Sequence, residues 1–147
     1  MPQSYSCVWL HFIWATKYRA PLIKREKKFQ VYNLIKEIAE KNKIHLDFIN
    51  GVEDHVHLII SMKTSQCPSD IAKIIKGVSY TEINNAKIFE EHFHWQDGFA
   101  VFSISPQNIQ MVRNYIRNQE QHHVKKSLDE ELVFFEKSAD KFVNEVD

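Results

Sequence analysis

Residues 44–62 read Ile44-His45-Leu46-Asp47-Phe48-Ile49-Asn50-Gly51-Val52-Glu53-Asp54-His55-Val56-His57-Leu58-Ile59-Ile60-Ser61-Met62. β-Branched, aromatic and other apolar residues fill both halves, and each half has the length of a strand. Ile44 to Val52 therefore predicts one strand and Asp54 to Met62 the next, in direct succession. Asn50-Gly51 is a turn signal, or a bulge if the strand runs through it.

The flanking segments read differently. Residues 4–15, Ser-Tyr-Ser-Cys-Val-Trp-Leu-His-Phe-Ile-Trp-Ala, predict a buried strand rich in aromatic residues, and Ala20-Pro21 is a break shortly after it. Residues 25–42 place Phe29, Tyr32, Leu34, Ile35, Ile38 and Ala39 at helical spacing. After a loop, Pro68 or Ser69 starts a second helix striped by Ile71, Ile74, Ile75, Val78 and Ile83. Residues 87–98 are irregular and end at Trp95-Gln96-Asp97-Gly98, and Phe99 to Ser105 alternates like a strand. Ser105-Pro106 suits a helix start with Pro at the first position. That helix is expected to pass through Ile109, Val112, Tyr115, Ile116 and Gln119 to about Val124, with a last short helix over 128–138. The order β-α-β-β-α-β is the split βαβ, ferredoxin-like arrangement. The fold class is α+β: an antiparallel sheet with helices on one face, plus a C-terminal helix carrying Tyr115. The other face or edge of the sheet is left for chemistry.

The chain of 147 residues suits one domain, 1–147. An apolar content of 44% and a charged content of 26% are ordinary for a soluble protein, and three Gly and four Pro argue against a flexible linker. No apolar run approaches the ~20 residues that span a bilayer. The first residues lack a basic stretch followed by an apolar one. Cys7 and Cys67 are isolated and match no zinc spacing. The expectation is a cytoplasmic protein with free thiols and no membrane partner. A net charge of zero conceals an asymmetry: nine Lys/Arg and three acids between Lys17 and Lys43, seven acids and two lysines between Asp129 and Asp147. The basic segment, interleaved with Tyr18, Phe29 and Tyr32, suits either a phosphate backbone or a solvated helix face. The acidic tail of about 129–147 reads as solubilising or as packing on the basic face.

His55 and His57 project from one face of their strand, with Cα atoms about 7 Å apart. Both rings can turn onto one metal ion. A lone His-x-His more often lines a sheet face, so a second segment matters: Tyr115-Ile116-Arg117-Asn118-Gln119. Tyr115 and Gln119 are four apart on the expected helix and share a face. A Gln carbonyl is a hard ligand suited to Mg2+ or Mn2+. A phenol beside such an ion is a candidate nucleophile on a phosphate. No Gly-rich phosphate loop can be found in the chain.

Five segments in order resemble the single-tyrosine HUH transposases of small insertion sequences, the IS200-like and REP-associated tyrosine transposases. They are Trp14-Ala15-Thr16-Lys17-Tyr18-Arg19, Asp54-His55-Val56-His57-Leu58, Ile75-Lys76-Gly77-Val78-Ser79, Trp95 to Ser105 and Tyr115-Ile116-Arg117-Asn118-Gln119, the last followed by Gln121-His122-His123. Each is weak alone, and the five together span most of the chain. The resemblance implies cleavage and joining of single-stranded DNA with hairpin ends. Tyr115 would form a 5′-phosphotyrosine, and His55, His57 and Gln119 would hold the divalent ion, Mg2+ or Mn2+. It also implies a homodimer with composite sites, the Tyr helix of one subunit completing the metal site of the other, and a nucleoid location when DNA is bound. Lys17, Arg19, Lys76, Arg113 and Arg117 are the candidate DNA contacts, and Tyr18 and Phe99 are candidates to stack on unpaired bases. Phe99 stands where relatives often have Tyr.

Other readings fit less well. His92-Phe93-His94 lacks alternating apolar context, His122-His123 suits a helix C-terminus, and His11 and His45 read as structural. A cupin-like or hydrolase site needs a Glu soon after the second His, which Leu58 to Met62 lacks. A zinc deaminase needs Pro-Cys-x-x-Cys, also missing. A domesticated, non-mobile hairpin-binding protein of the same fold is the non-enzymatic alternative.

Overall fold

A computed structural model describes residues 4–121 and 127–139. Its strands are β1 (Val8–Ala15), β2 (His45–Val52), β3 (His55–Met62) and β4 (Ala100–Ile104). Its helices are α1 (Arg25–Lys41), α2 (Pro68–Asn85), α3 (Ile109–Arg117) and α4 (Leu128–Ala139). The four strands form one sheet in the order β2-β3-β1-β4, with every neighbour antiparallel. This is the expected split βαβ topology. No helix among the described residues is long and apolar enough to cross a membrane.

Side chains alternate across the sheet and define two faces. Leu10, Phe12 and Trp14 of β1 and Val56, Leu58 and Ile60 of β3 point one way, onto α1 and α2. There they meet Val31, Tyr32, Ile35, Ile71 and Ile75. The α1 stripe is Val31, Tyr32, Ile35, Ile38 and Ala39, whereas Phe29, expected in the core, is 64% exposed. On α2, Val78 is likewise at the surface and Ser79 lies buried in the stripe. The opposite face carries His11, Ile13, Ala15, His55, His57 and Ile59. It is covered by α3 through Ile109 and Ile116 and by α4 through Leu128, Leu132 and Phe135. Helices thus lie on both faces: the two crossover helices on one, the C-terminal helices on the other.

The hairpin does not turn at Asn50-Gly51. The strand runs through, with Gly51 opposite Val56, and the reversal falls at Glu53-Asp54. Glycine is needed at 51 for close approach: a Cβ there would sit 2.2 Å from the His55 carbonyl oxygen. The irregularity of β2 lies earlier, between Leu46 and Phe48.

Two of the quoted motifs prove to be one strap. Lys76 Nζ donates to the carbonyls of Gln96 (2.8 Å) and Gly98 (2.6 Å), and the buried Ser79 hydroxyl accepts from Trp95 Nε1 (2.9 Å). The Lys-Gly-x-Ser helix therefore fixes the Trp-Gln-x-Gly loop that leads into β4. Lys76, expected at DNA, is committed to that loop.

Candidate metal centre and nucleophile

The antiparallel register sets His57 opposite Ile13 and His55 opposite Ala15, on the face covered by α3 and α4. Both imidazoles are fully buried. The helix bearing Tyr115 ends sooner than its periodicity suggests. It stops at Asn118 (φ −97°, ψ 25°), and Gln119 to Gln121 begin a further helical turn. Val124 and His122-His123 lie outside the described residues. Asn50 Nδ2 donates to the carbonyls of Ile116 (2.9 Å) and Arg117 (3.3 Å), pinning the helix end to β2. Tyr115 and Gln119 both still reach the histidines. The Tyr115 and His57 ring centroids are 6.3 Å apart, and Gln119 Oε1 lies 3.2 Å from His55 Nε2.

α4 supplies a donor that the sequence reading missed. Glu131 Oε2 is 3.1 Å from His57 Nε2 and 3.3 Å from His55 Nε2, and Gln119 Nε2 donates to Glu131 Oε1 at 3.3 Å. The nitrogen and oxygen donors of His55, His57 and Glu131 lie within 4.8 Å of one another. Its sequence signal was present. Leu128, Glu131, Leu132 and Phe135 follow helical spacing, so an acid stands inside an apolar stripe. The charge count of the tail concealed it.

Partners outside the donor set orient the rings. His55 Nδ1 faces the Asp54 carboxylate at 2.8 Å, and His57 Nδ1 faces His11 Nε2 at 2.8 Å. Burial works against a charge on His55. The hydrogen bonds to Asp54 and Glu131 outweigh it and raise the group to about 9. Burial and the neighbouring His55 lower His57. Burial likewise pushes Glu131 up, yet both imidazoles hold it far below the usual carboxylate range. The cluster therefore favours positive charge at the point where these atoms converge. Tyr115 is pushed well above an ordinary phenol by burial and then by the Glu131 charge. A cation at that point would oppose the second effect.

The donor chemistry fits a divalent ion. Ligands at about 2.1 Å and right angles are about 3 Å apart, and the contacts above are 3.1, 3.2 and 3.3 Å. Two imidazoles, a carboxylate and an amide oxygen form a mixed nitrogen and oxygen donor set of the kind that divalent metal ions take. His92 and His94 join no such group among the described residues. His92 Nε2 instead meets Tyr80 Oη at 3.0 Å. His45 is exposed and stands edge-on to Trp9.

The five expected DNA contacts do not converge. Arg113 makes a two-pronged bond to Asp47, both distances 2.7 Å. Arg117 lies over the Phe48 ring and bonds Asn114, and Arg19 pairs with Asp129 of α4. Lys17 lies over the ring of Tyr18, which is 89% exposed and, like Arg19, has a left-handed φ. Phe99 packs near Phe12.

The sequence profile of a family described as "Transposase IS200 like" matches residues 4–119. The ISDra2 transposase TnpA of Deinococcus radiodurans is 25% identical over 116 residues, covering 74% of this chain and 81% of that protein. A crystal structure of a candidate transposase from Deinococcus radiodurans R1 superposes with a TM-score of 0.64 at 25% identity, covering 79% of this chain and 93% of that one. A REP-associated tyrosine transposase bound to a REP hairpin superposes at 0.57 with 14% identity, covering 84% of this chain and 71% of that one, a likeness of fold.

Proposed function

The chain belongs to the IS200-like transposase family, and we propose that it cuts and rejoins single-stranded DNA through Tyr115 with the help of a divalent ion. The observation that carries this reading is the convergence of Tyr115, His55, His57, Gln119 and Glu131 on one buried point between β3, α3 and α4. His55, His57 and Gln119 would hold Mg2+ or Mn2+, and Glu131 would serve as a further donor. Such an ion, when bound, polarises the scissile phosphate and stabilises the charge that builds on it.

The residues of the chain do the rest. The Tyr115 oxygen attacks phosphorus and its proton passes to water, while the bond from phosphorus to the 3′-oxygen breaks and that oxygen takes a proton from water. A 5′-phosphotyrosine and a free 3′-hydroxyl result. A 3′-hydroxyl later attacks that linkage and restores Tyr115, so no nucleotide cofactor is required. Phe134 and Phe135 wall the Tyr115 ring. Lys17, Arg19 and Arg117 are assigned to the DNA backbone. Lys76 and Arg113 act through the loop and the strand they hold. The DNA partner is a single strand with hairpin ends, and the assembly is a homodimer. Because one chain already brings Tyr115 to its own histidines, the assigned arrangement is in cis.

The test uses labelled hairpin DNA with a single-stranded flank, with Mg2+ or Mn2+. A covalent protein–DNA adduct is expected from the wild type and lost in Tyr115→Phe while DNA binding persists. Cleavage by the wild type without any adduct would reject the phosphotyrosine route.

A further inference from the structure

The histidine on β1 has no part in the chemistry above, yet it is 1% exposed and aimed at a proposed ligand. We infer that His11 is a positioning residue for the metal centre: it accepts the Nδ1 proton of His57 and so presents the His57 Nε2 lone pair to the cation. This rests on the reading that the site holds a divalent ion.

The argument is one of ring nitrogens. A neutral imidazole carries one proton, so a ring that ligates through one nitrogen must carry its proton on the other. His57 Nε2 faces Glu131 at 3.1 Å and belongs to the converging donor set. Its Nδ1 must then donate, and the group it meets is His11 Nε2 at 2.8 Å. His55 obeys the same rule with a different partner, the Asp54 carboxylate at 2.8 Å. Each ligand ring thus has its own acceptor, an anion for one and an imidazole for the other.

His11 is held for this task. It lies opposite Ile59 on β3 and Phe102 on β4, diagonal to His57 on the same face of the sheet. Its ring lies end to end with that of His57, the planes 28° apart and the centroids 5.0 Å apart, and meets Phe135 edge-on at 4.6 Å. The bond and the Phe135 contact together fix the orientation of the buried His11 ring. Partners of this kind typically contribute 10–100-fold in metal affinity.

The experiment measures Mn2+ binding to the full-length chain by electron paramagnetic resonance of free Mn2+, with the melting temperature in EDTA as a folding control. Two variants separate hydrogen bonding from packing. His11→Phe keeps a flat ring against Phe135 and removes the acceptor. His11→Gln places a carbonyl oxygen near the lost Nε2 position. The expected result is a Mn2+ Kd raised about 10–100-fold in His11→Phe and largely restored in His11→Gln. Unchanged affinity in His11→Phe would overturn the inference. So would equal losses in both variants, which would assign His11 to packing. A wild type that binds no Mn2+ would instead reject the metal reading itself.

Discussion

Raising the pH of the metal-free protein from 6.5 to 9 should weaken it, and the structure gives the size. His55 is fully buried and its group rises from 6.5 to about 9 on folding. A group raised on folding stabilises the protein below its unfolded value and loses that contribution as pH climbs through its folded value. At about 1.4 kcal/mol for each tenfold change in proton affinity, the loss comes to about 3 kcal/mol. Cys67 and Lys76, both lowered on folding, act in the opposite direction towards the top of this range and offset a little of the loss, because Cys67 is exposed and Lys76 only partly buried. His57 and His11 are lowered on folding, so their cost appears as pH falls below 6.5. Tyr115 is raised above its ordinary 10 and adds its cost only at higher pH. Stability should therefore peak near pH 6.5. Urea unfolding in EDTA at pH 6.5, 7.5 and 9 measures the slope. Glu131→Gln removes one of the two acceptors that favour the His55 charge and leaves Asp54. The slope should flatten by about half, and the variant should be less stable at pH 6.5 by about 3 kcal/mol, the low end for breaking a buried pair. A wild type equally stable at the three pH values would refute the electrostatic account. So would a Glu131→Gln slope equal to that of the wild type.

Single contacts carry the other expectations. Gly51→Ala sets a methyl against the His55 carbonyl and should cost about 1–3 kcal/mol and weaken Mn2+ binding, read by thermal shift with and without the ion; a neutral substitution would show that the hairpin yields freely. Lys76→Met removes the two carbonyl contacts of the strap and should speed amide exchange at 96–98 while leaving the salt dependence of DNA binding unchanged; a shallower salt slope would return Lys76 to the DNA. Mixing Tyr115→Phe with His57→Ala chains should restore no cleavage, because both groups come from one chain; recovered activity would mean that α3 is exchanged between subunits.

Much of this was legible before any coordinates. The succession of two strands at 44–62 led to the split βαβ order, and the His-x-His and Tyr-x-x-x-Gln segments fell at one site. What escaped detection has physical causes. Asn50-Gly51 carries turn chemistry, but a glycine forced by the close approach of a neighbouring strand has the same letter. Phe29 fits a helical stripe by spacing, and only the packing of α1 shows that the stripe is centred on Val31 and Ile35. Glu131 was lost because charge was summed over a segment when its position on the helix was what mattered. His11 was read as structural because a partner of a ligand has no spacing rule. It depends on a register between β1 and β3 that pairs residues 46 positions apart. Lys76 was expected at the DNA because the strap that it and Ser79 make to the β4 loop is equally invisible to local pattern.

The burial of the donors also bears on kinetics. His55, His57, Gln119 and Glu131 have no measurable exposure to solvent. A cation therefore cannot reach them by diffusion alone; the wall around them must first open, and local opening has its own rate and free energy. Loading should then saturate: above some concentration, added Mn2+ would bind no faster, and the plateau would report the opening rate. Release would be gated in the same way. An ion once seated would outlast a brief exposure to chelator, so occupancy would reflect the history of the sample as well as the composition of its buffer.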